Sequence, residues 1–216
     1  MNSPSHPVIR SSVLLGIIAL LGTALLSGVN VLTHDRIIAQ EKRRMLQQLN
    51  EIVPTTAFNN DLLADVISIT DSNFFRHPDP VTVYRARMDG QPVAVMMIVT
   101  APDGYNGDIQ LLTGIDTTGT LLGVRVISHR ETPGLGDPID IEKSDWVVGF
   151  KHKSLRNPQD SGWAVRKDGG QFDQFTGATI SPRAVVKTVH DTLLYYAANQ
   201  ALLFTTPTEP GNQDDR

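Results

Sequence analysis

The 216-residue sequence contains no cysteine. That absence excludes disulfides, zinc–thiolate sites, iron–sulfur clusters and cysteine nucleophiles. Redox chemistry in this chain therefore requires a borrowed organic cofactor or a metal site without thiolates. Positive charge is also short, with 19 Lys and Arg against 23 Asp and Glu, a formal net charge of -4 and a pI near 5.8. That balance argues against a broad nucleic-acid-binding surface, which needs a basic face to neutralise phosphates. No Gly-x-Ser-x-Gly segment is present, so the nucleophile elbow of a serine hydrolase is missing. The His-Glu-x-x-His spacing of a zinc protease is missing too, and no internal repeat is visible. What remains is ordinary for a packed protein: 40% hydrophobic and 19% charged residues. The length leaves room for one membrane segment and one domain of about 150 residues.

No charged side chain falls between Ser11 and Thr33, where Val13, Leu14, Leu15, Ile17, Ile18, Leu20 and Leu21 continue through Leu25, Leu26, Val29 and Leu32. About 20 such residues, rising 1.5 Å each, cross a hydrocarbon core of about 30 Å. A cleaved signal peptide is the alternative, but its apolar region usually runs to only about 7–15 residues. Charge leaves the orientation open. Arg10 stands on one side, and Arg36, Lys42, Arg43 and Arg44 stand on the other. The positive-inside count alone keeps the following domain in the cytoplasm, yet that count weakens when a long domain follows.

From Thr33 to Asn50 there is neither Gly nor Pro, and Ile37, Ile38, Met45, Leu46 and Leu49 recur at helical spacing. This predicts an amphipathic stalk that Pro54 ends. Its basic cluster suits either a solvated face or lipid headgroups. Short apolar runs follow, predicting strands over Val66–Thr70, Val81–Met88, Val93–Thr100, Gln110–Ile115 and Leu121–Ser128. Turn signals stand at Asp89-Gly90, Asp103-Gly104, Asn106-Gly107 and Thr118-Gly119. Residues 93–99 are apolar on both alternations, the pattern of a central strand covered on both faces. A short helix over Ser144–Phe150 and a strand over Trp163–Arg166 are expected within a long irregular stretch. Ser181 as N-cap and Pro182 at the first helical position open a long helix with Val185, Val189, Leu193 and Tyr196 or Ala197 as its buried stripe. The fold class is α+β, an antiparallel sheet with helices behind one transmembrane helix. The expected divisions are an N-terminal tail 1–10, a transmembrane helix 11–33, a stalk helix 34–54, a folded domain 55–204 and a disordered tail 205–216.

The segment that carries chemistry is Asp173-Gln174-Phe175-Thr176-Gly177-Ala178-Thr179. Two hydroxyl residues flank Gly-Ala, and the second stands just before a predicted helix. A phosphate there meets free backbone N–H groups and the positive end of the helix dipole. Gly177 and Ala178 leave the backbone open to close approach. A second segment, Ser128-His129-Arg130-Glu131-Thr132-Pro133-Gly134-Leu135-Gly136-Asp137, forms a loop stiffened by Pro133, Gly134 and Gly136. Its backbone can lie against a flat ring, with Leu135 covering a face. The spacing of His129 and Glu131 does not suggest a metal site.

The first segment resembles the flavinylation signature Asp-x-x-Ser/Thr-Gly-Ala-Thr of the FMN-binding domain family. The second resembles the His-x-Glu-Thr-Pro-Gly-Leu-Gly loop of the same family. With Gly104-Tyr105-Asn106-Gly107 and the N-terminal span, the pattern resembles the G-subunit family of Rnf (Rsx) ion-translocating electron-transport complexes over nearly the whole chain. It is also similar to the C subunits of sodium-pumping NADH:quinone reductases; the short length without long insertions favours the Rnf family. The resemblance implies that Thr179 carries FMN through a phosphoester installed by a flavin transferase that uses FAD. Asp173, Thr176, Gly177 and Ala178 complete the recognition sequence, and Tyr105, Glu131, Thr132, Pro133, Gly134, Leu135 and Gly136 contribute to the flavin site. It further implies an electron relay on the periplasmic side of an inner membrane, with lipid around the anchor. Its partners would be the other subunits of a complex that couples ferredoxin and NAD electron exchange to ion movement. The competing reading of the residues is a membrane-tethered assembly or binding module without redox activity.

Overall fold

The computed structural model describes residues 5–205. The chain divides into two compact units, with the boundary between Met45 and Leu46. Of the expected tails 1–10 and 205–216, residues 1–4 and 206–216 lie outside the described residues, while 5–10 and 205 belong to helices.

The described part of the first unit is helical and belongs to α1 (Ser5–Ile52). Ile9–Asn30 has a mean hydropathy of 2.2, none of its most apolar window is buried, and it is long and apolar enough to cross a membrane. The span lies slightly N-terminal to the expected 11–33. Its hydroxyl groups find acceptors within the helix: Thr23 donates to the Ala19 carbonyl at 2.9 Å, and Thr33 to that of Val29 at 2.8 Å. Such back-bonding satisfies groups that hydrocarbon could not solvate.

The second unit is built on a five-stranded antiparallel sheet in the order β1-β2-β3-β4-β5. The strands are β1 (Val66–Ile69), β2 (Val81–Met88), β3 (Gln91–Gly104), β4 (Gly107–Asp116) and β5 (Leu121–Ser128). Each hairpin follows from its turn residues. Asp89 and Gly90 both have positive φ, 51° and 77°, the backbone that a two-residue hairpin demands. The two turn signals at Asp103-Gly104 and Asn106-Gly107 merge into one. Gly104 pairs with Gly107, so only Tyr105 and Asn106 form the tip, and the strands run further than expected.

As residues 93–99 predict, β3 is the central strand, and Ala94, Val95, Met96 and Met97 are all fully buried. One face packs under α2 (Ile180–Thr205), where Val95, Met97 and Val99 join Val185, Val189 and Leu193 in the main core. Tyr196 continues the stripe, while Ala197 is exposed. On the sheet's other face lies the end of α1, with Leu49 and Ile52 buried. Ile52 sits over the register pair Gly114 and Gly123; a Cβ on Gly114 would collide with its Cγ2. The stalk pattern therefore has a partner at its C-terminal end, whereas Ile37 and Ile38 stay exposed. α1 stops at Ile52, and Pro54 leads into a 3₁₀ turn over Thr55–Ala57.

Arg85 is buried, and Asp65 holds its Nε and Nη2 at 2.5 Å. The second Asp65 oxygen takes Arg87 Nε at 2.7 Å, and Arg87 Nη2 donates to the Phe204 carbonyl at 2.9 Å near the end of α2. A cation there also complements the negative end of the helix.

Two sequence expectations need correction. Trp163–Arg166 is not a strand; only Val165 forms a bridge, to Phe172, and a 3₁₀ turn begins at Arg166. Its apolar residues pack instead into an aromatic cluster of Phe150, Trp163 and Phe172. Ser181 does not cap α2, which begins at Ile180 with the Thr179 carbonyl accepting from Arg183 N–H at 3.2 Å. The short helix at Ser144 does form, as a 3₁₀ helix over Asp145–Phe150 with the Ser144 hydroxyl accepting from Trp146 N–H at 3.2 Å.

Candidate cofactor site at the start of α2

Phe175 to Ala178 form a tight turn, closed by the Ala178 N–H to the Phe175 carbonyl at 3.1 Å. Gly177 has φ of 81° within it, a conformation that a side chain would strain. The turn delivers Thr179 directly to the helix N-terminus, half-buried. The N–H groups of Ile180 and Ser181 have no acceptor within the helix at this end, so they and the helix dipole favour an anionic group. Arg183 in the same turn is already engaged, donating to Asp168 through two bonds of 2.6 and 2.9 Å. That bidentate hydrogen bond lowers the Asp168 carboxyl below its usual range.

Thr179 opens onto a cavity of about 340 Å³ whose walls come from three distant segments. Tyr105 comes from the β3–β4 tip, Glu131, Thr132, Leu135 and Gly136 from the loop after β5, and Gly177 to Ser181 from the turn and α2. The Leu135 side chain lies against Gly177, where an added Cβ would be 3.7 Å from Leu135 Cδ2. Tyr105, Leu135 and Ile180 are large, apolar and 64, 46 and 43% exposed. That much uncovered apolar surface around one concavity is characteristic of a binding site rather than a folded exterior.

Glu131 joins the three segments. It is only 4% exposed. One carboxylate oxygen accepts from the Asn106 N–H at 3.1 Å, and the other accepts a short hydrogen bond from the Ser181 hydroxyl. An added Cβ on Gly136 would stand 2.6 Å from Ser181 Oγ and 2.7 Å from a Glu131 oxygen, so this glycine makes room for the pair, whereas one on Gly104 would first meet the Gly107 carbonyl across the hairpin. Asn106 Nδ2 also donates to Thr132 Oγ1 at 3.0 Å.

The sequence-predicted residues thus divide. Tyr105, Glu131, Thr132, Leu135, Gly136, Gly177, Ala178 and Thr179 line the cavity. Pro133 and Gly134 shape the loop behind it: Gly134 has φ of 76° and donates its N–H to Asp137 at 2.6 Å. Asp173 and Thr176 do not line it. Asp173 is exposed and paired with Arg166 at 3.0 Å, and Thr176 is exposed on the turn. Ser181 and Ile180 are wall residues absent from the sequence-predicted set.

Two family matches fall on these two parts of the chain. Residues 1–52 match the RnfG N-terminal region, and residues 104–194 match the FMN-binding domain, a stretch that contains every wall of the cavity. The chain is 48% identical over 200 residues to a Shewanella loihica protein named as the G subunit of an ion-translocating oxidoreductase complex, covering 93% of this chain and 94% of that one. The chain belongs to the Rnf complex G-subunit family. Further family members include proteins of the same name from Shewanella baltica, 45% identical over 94% of this chain and 95% of that one, and Pseudomonas aeruginosa, 44% identical over 95 and 96%. These relatives match along anchor, stalk and domain alike, not the FMN-binding portion alone.

The cavity fits the cofactor that the FMN-binding match implies. Apolar side chains and bare backbone line space for a flat ring, and the hydroxyl of Thr179 stands where helix N–H groups attract a phosphate. FMN supplies reversible electron uptake when bound. Thr179 and the first turn of α2 would hold the phosphate end, and Tyr105, Leu135 and Ile180 would cover the ring and keep water from it.

Proposed function

We propose that this chain is the membrane-anchored electron-transfer subunit of an Rnf-type ion-translocating oxidoreductase complex, with FMN joined to Thr179 by a phosphoester. The observation that carries the reading is the position of Thr179, which ends the signature turn, starts α2 and opens onto the apolar cavity. A phosphoester leaves the isoalloxazine itself unaltered, so packing and hydrogen bonds around the ring set its properties. No enclosed substrate pocket is required for such a role.

In this reading Asp173 and Thr176, exposed and not among the cavity walls, serve the flavin transferase rather than the bound ring. The domain stands on the periplasmic side of the inner membrane, where covalent attachment prevents loss of the cofactor. The helix 11–33 is retained in the lipid, and 34–54 supports the folded domain 55–204. Other subunits of the complex give and take the electrons, in a chain that couples ferredoxin and NAD exchange to ion movement. The test is to express the protein with a flavin transferase, denature it and run it on a gel. A yellow-green fluorescent band at the chain's mass is expected; a folded, membrane-inserted sample without fluorescence would favour a non-redox assembly module.

A further inference from the structure

We infer that Glu131 sets the potential of the flavin by holding a fixed negative charge on the cavity wall. The inference rests on the proposed FMN at this site and goes beyond attachment to ask what the wall does to the ring.

The loop that carries Glu131 could have closed the cavity with a neutral side chain. Instead a carboxylate is buried there, and burial of a charge is costly unless hydrogen bonds or a counter-ion offset it. Both oxygens receive donors, one from the Asn106 N–H and the other from the Ser181 hydroxyl. Among the described residues no Lys, Arg or His side chain lies within ion-pair distance of it. His129, two residues earlier, accepts the Glu131 backbone N–H at 3.1 Å and has Asp140 at 3.9 Å from its Nε2. Arg183, one turn into α2, is held by Asp168. Support for the charge therefore comes from dipoles, those of one amide, one hydroxyl and the start of α2, which leave its net field in place.

Glu131 itself is buried, so its field is screened less than that of a surface carboxylate. Reduction adds electrons to the ring, and any electron not matched by a proton is negative charge facing Glu131. The carboxylate disfavours the reduced state relative to the oxidised one and so lowers the potential. Gly136 fits the same requirement, since a Cβ there would stand 2.6 Å from Ser181 Oγ and 2.7 Å from a Glu131 oxygen and so crowd the pair. The Ser181 hydroxyl moderates the charge by donating to it.

The test uses the full chain, flavinylated during expression, purified in detergent and confirmed as loaded by intact mass. Visible-absorbance titration against reference dyes then gives the potential of the wild type and of E131Q, E131D and S181A. E131Q is expected to move to a more positive potential, while E131D, which keeps the charge, stays close to wild type. Equal shifts in E131Q and E131D, or none in E131Q, would overturn the inference, because a purely structural clamp responds to shape and not to charge. Should E131Q not accumulate loaded protein, S181A decides: removing the donor leaves the carboxylate less moderated, so a more negative potential is expected, and an unchanged or more positive one would overturn it. A wild-type chain that carries no flavin contradicts the proposed function itself, an outcome visible by mass before any potential is measured.

Discussion

Trp146 donates its indole N–H to the backbone carbonyl of Asp173 at 2.8 Å, while its ring meets Phe175 at 5.4 Å between centroids. The two contacts fasten the front of the signature segment to the 3₁₀ helix Asp145–Phe150, which itself packs on the aromatic cluster through Phe150. The exposed part of the motif thus has a rigid support, although Asp173 touches nothing in the cavity.

Trp146→Phe keeps the ring contacts and removes the donor. Loss of such a hydrogen bond costs about 1 kcal/mol, and a looser segment is a poorer target for the modifying enzyme. A small fall in urea midpoint and a slower rise of the flavinylated mass in a time course are expected. Unchanged kinetics would show that Asp173 needs no such support.

Gly177→Ala places a Cβ on a residue at φ of 81°. The strain in a left-handed conformation is about 1 kcal/mol, and relieving it would turn Thr179 away from its place at the start of α2. Attachment is expected to slow by more than the loss of stability explains. Comparing the initial flavinylation rate with thermal unfolding of the same variant checks this.

Gly114→Ala and Gly123→Ala are expected to differ sharply. At Gly114 the new Cβ collides with Ile52, whereas at Gly123 it would lie 3.7 Å from Ile52 Cγ1, an ordinary contact. Overpacking of this kind costs about 1–3 kcal/mol, so Gly114→Ala should lower the urea midpoint clearly and Gly123→Ala should scarcely move it. Equal effects would mean that Ile52 is not held in the slot.

His190 gives stability a pH dependence. Its ring stacks on Trp163 at 5.3 Å with 6° between the planes, and burial lowers its pKa, with Asp160 and Asp191 opposing the shift. A depressed histidine pKa means that the unfolded chain takes up the proton first. Its contribution is therefore full above the unfolded value of about 6.5 and is lost as pH falls through it. Asp191 has the opposite sign: burial raises its pKa, so its protonation at lower pH favours the folded state. Thermal unfolding followed by tryptophan fluorescence should show a decline from pH 7 to 6 that is shallower in His190→Phe. An identical slope in the variant would contradict the assignment.

Much of the fold is readable from local pattern. The span, the central strand and the long final helix follow from runs of apolar residues, and the hairpins follow from Asp-Gly and Asn-Gly pairs whose backbone preferences act within a few residues. The place of Thr179 just before a helix follows from the same kind of local signal. Other features depend on contacts between distant parts of the chain. The Ser181 hydroxyl looks like a helix cap until Glu131, 50 residues earlier, accepts its proton. Trp163–Arg166 reads as a strand, but the aromatic cluster holds Trp163 and only Val165 forms a bridge. The division of the signature into cavity residues and the exposed Asp173 and Thr176 depends on how the turn folds, which spacing alone does not reveal.

The most direct test is intact mass spectrometry of the membrane-expressed chain, wild type beside Thr179→Ala, both produced with an active flavin transferase. An FMN-sized mass increase that survives denaturation in the wild type and vanishes in the variant is expected. A folded wild type without that increase, or a Thr179→Ala chain that retains it, would contradict covalent attachment at Thr179.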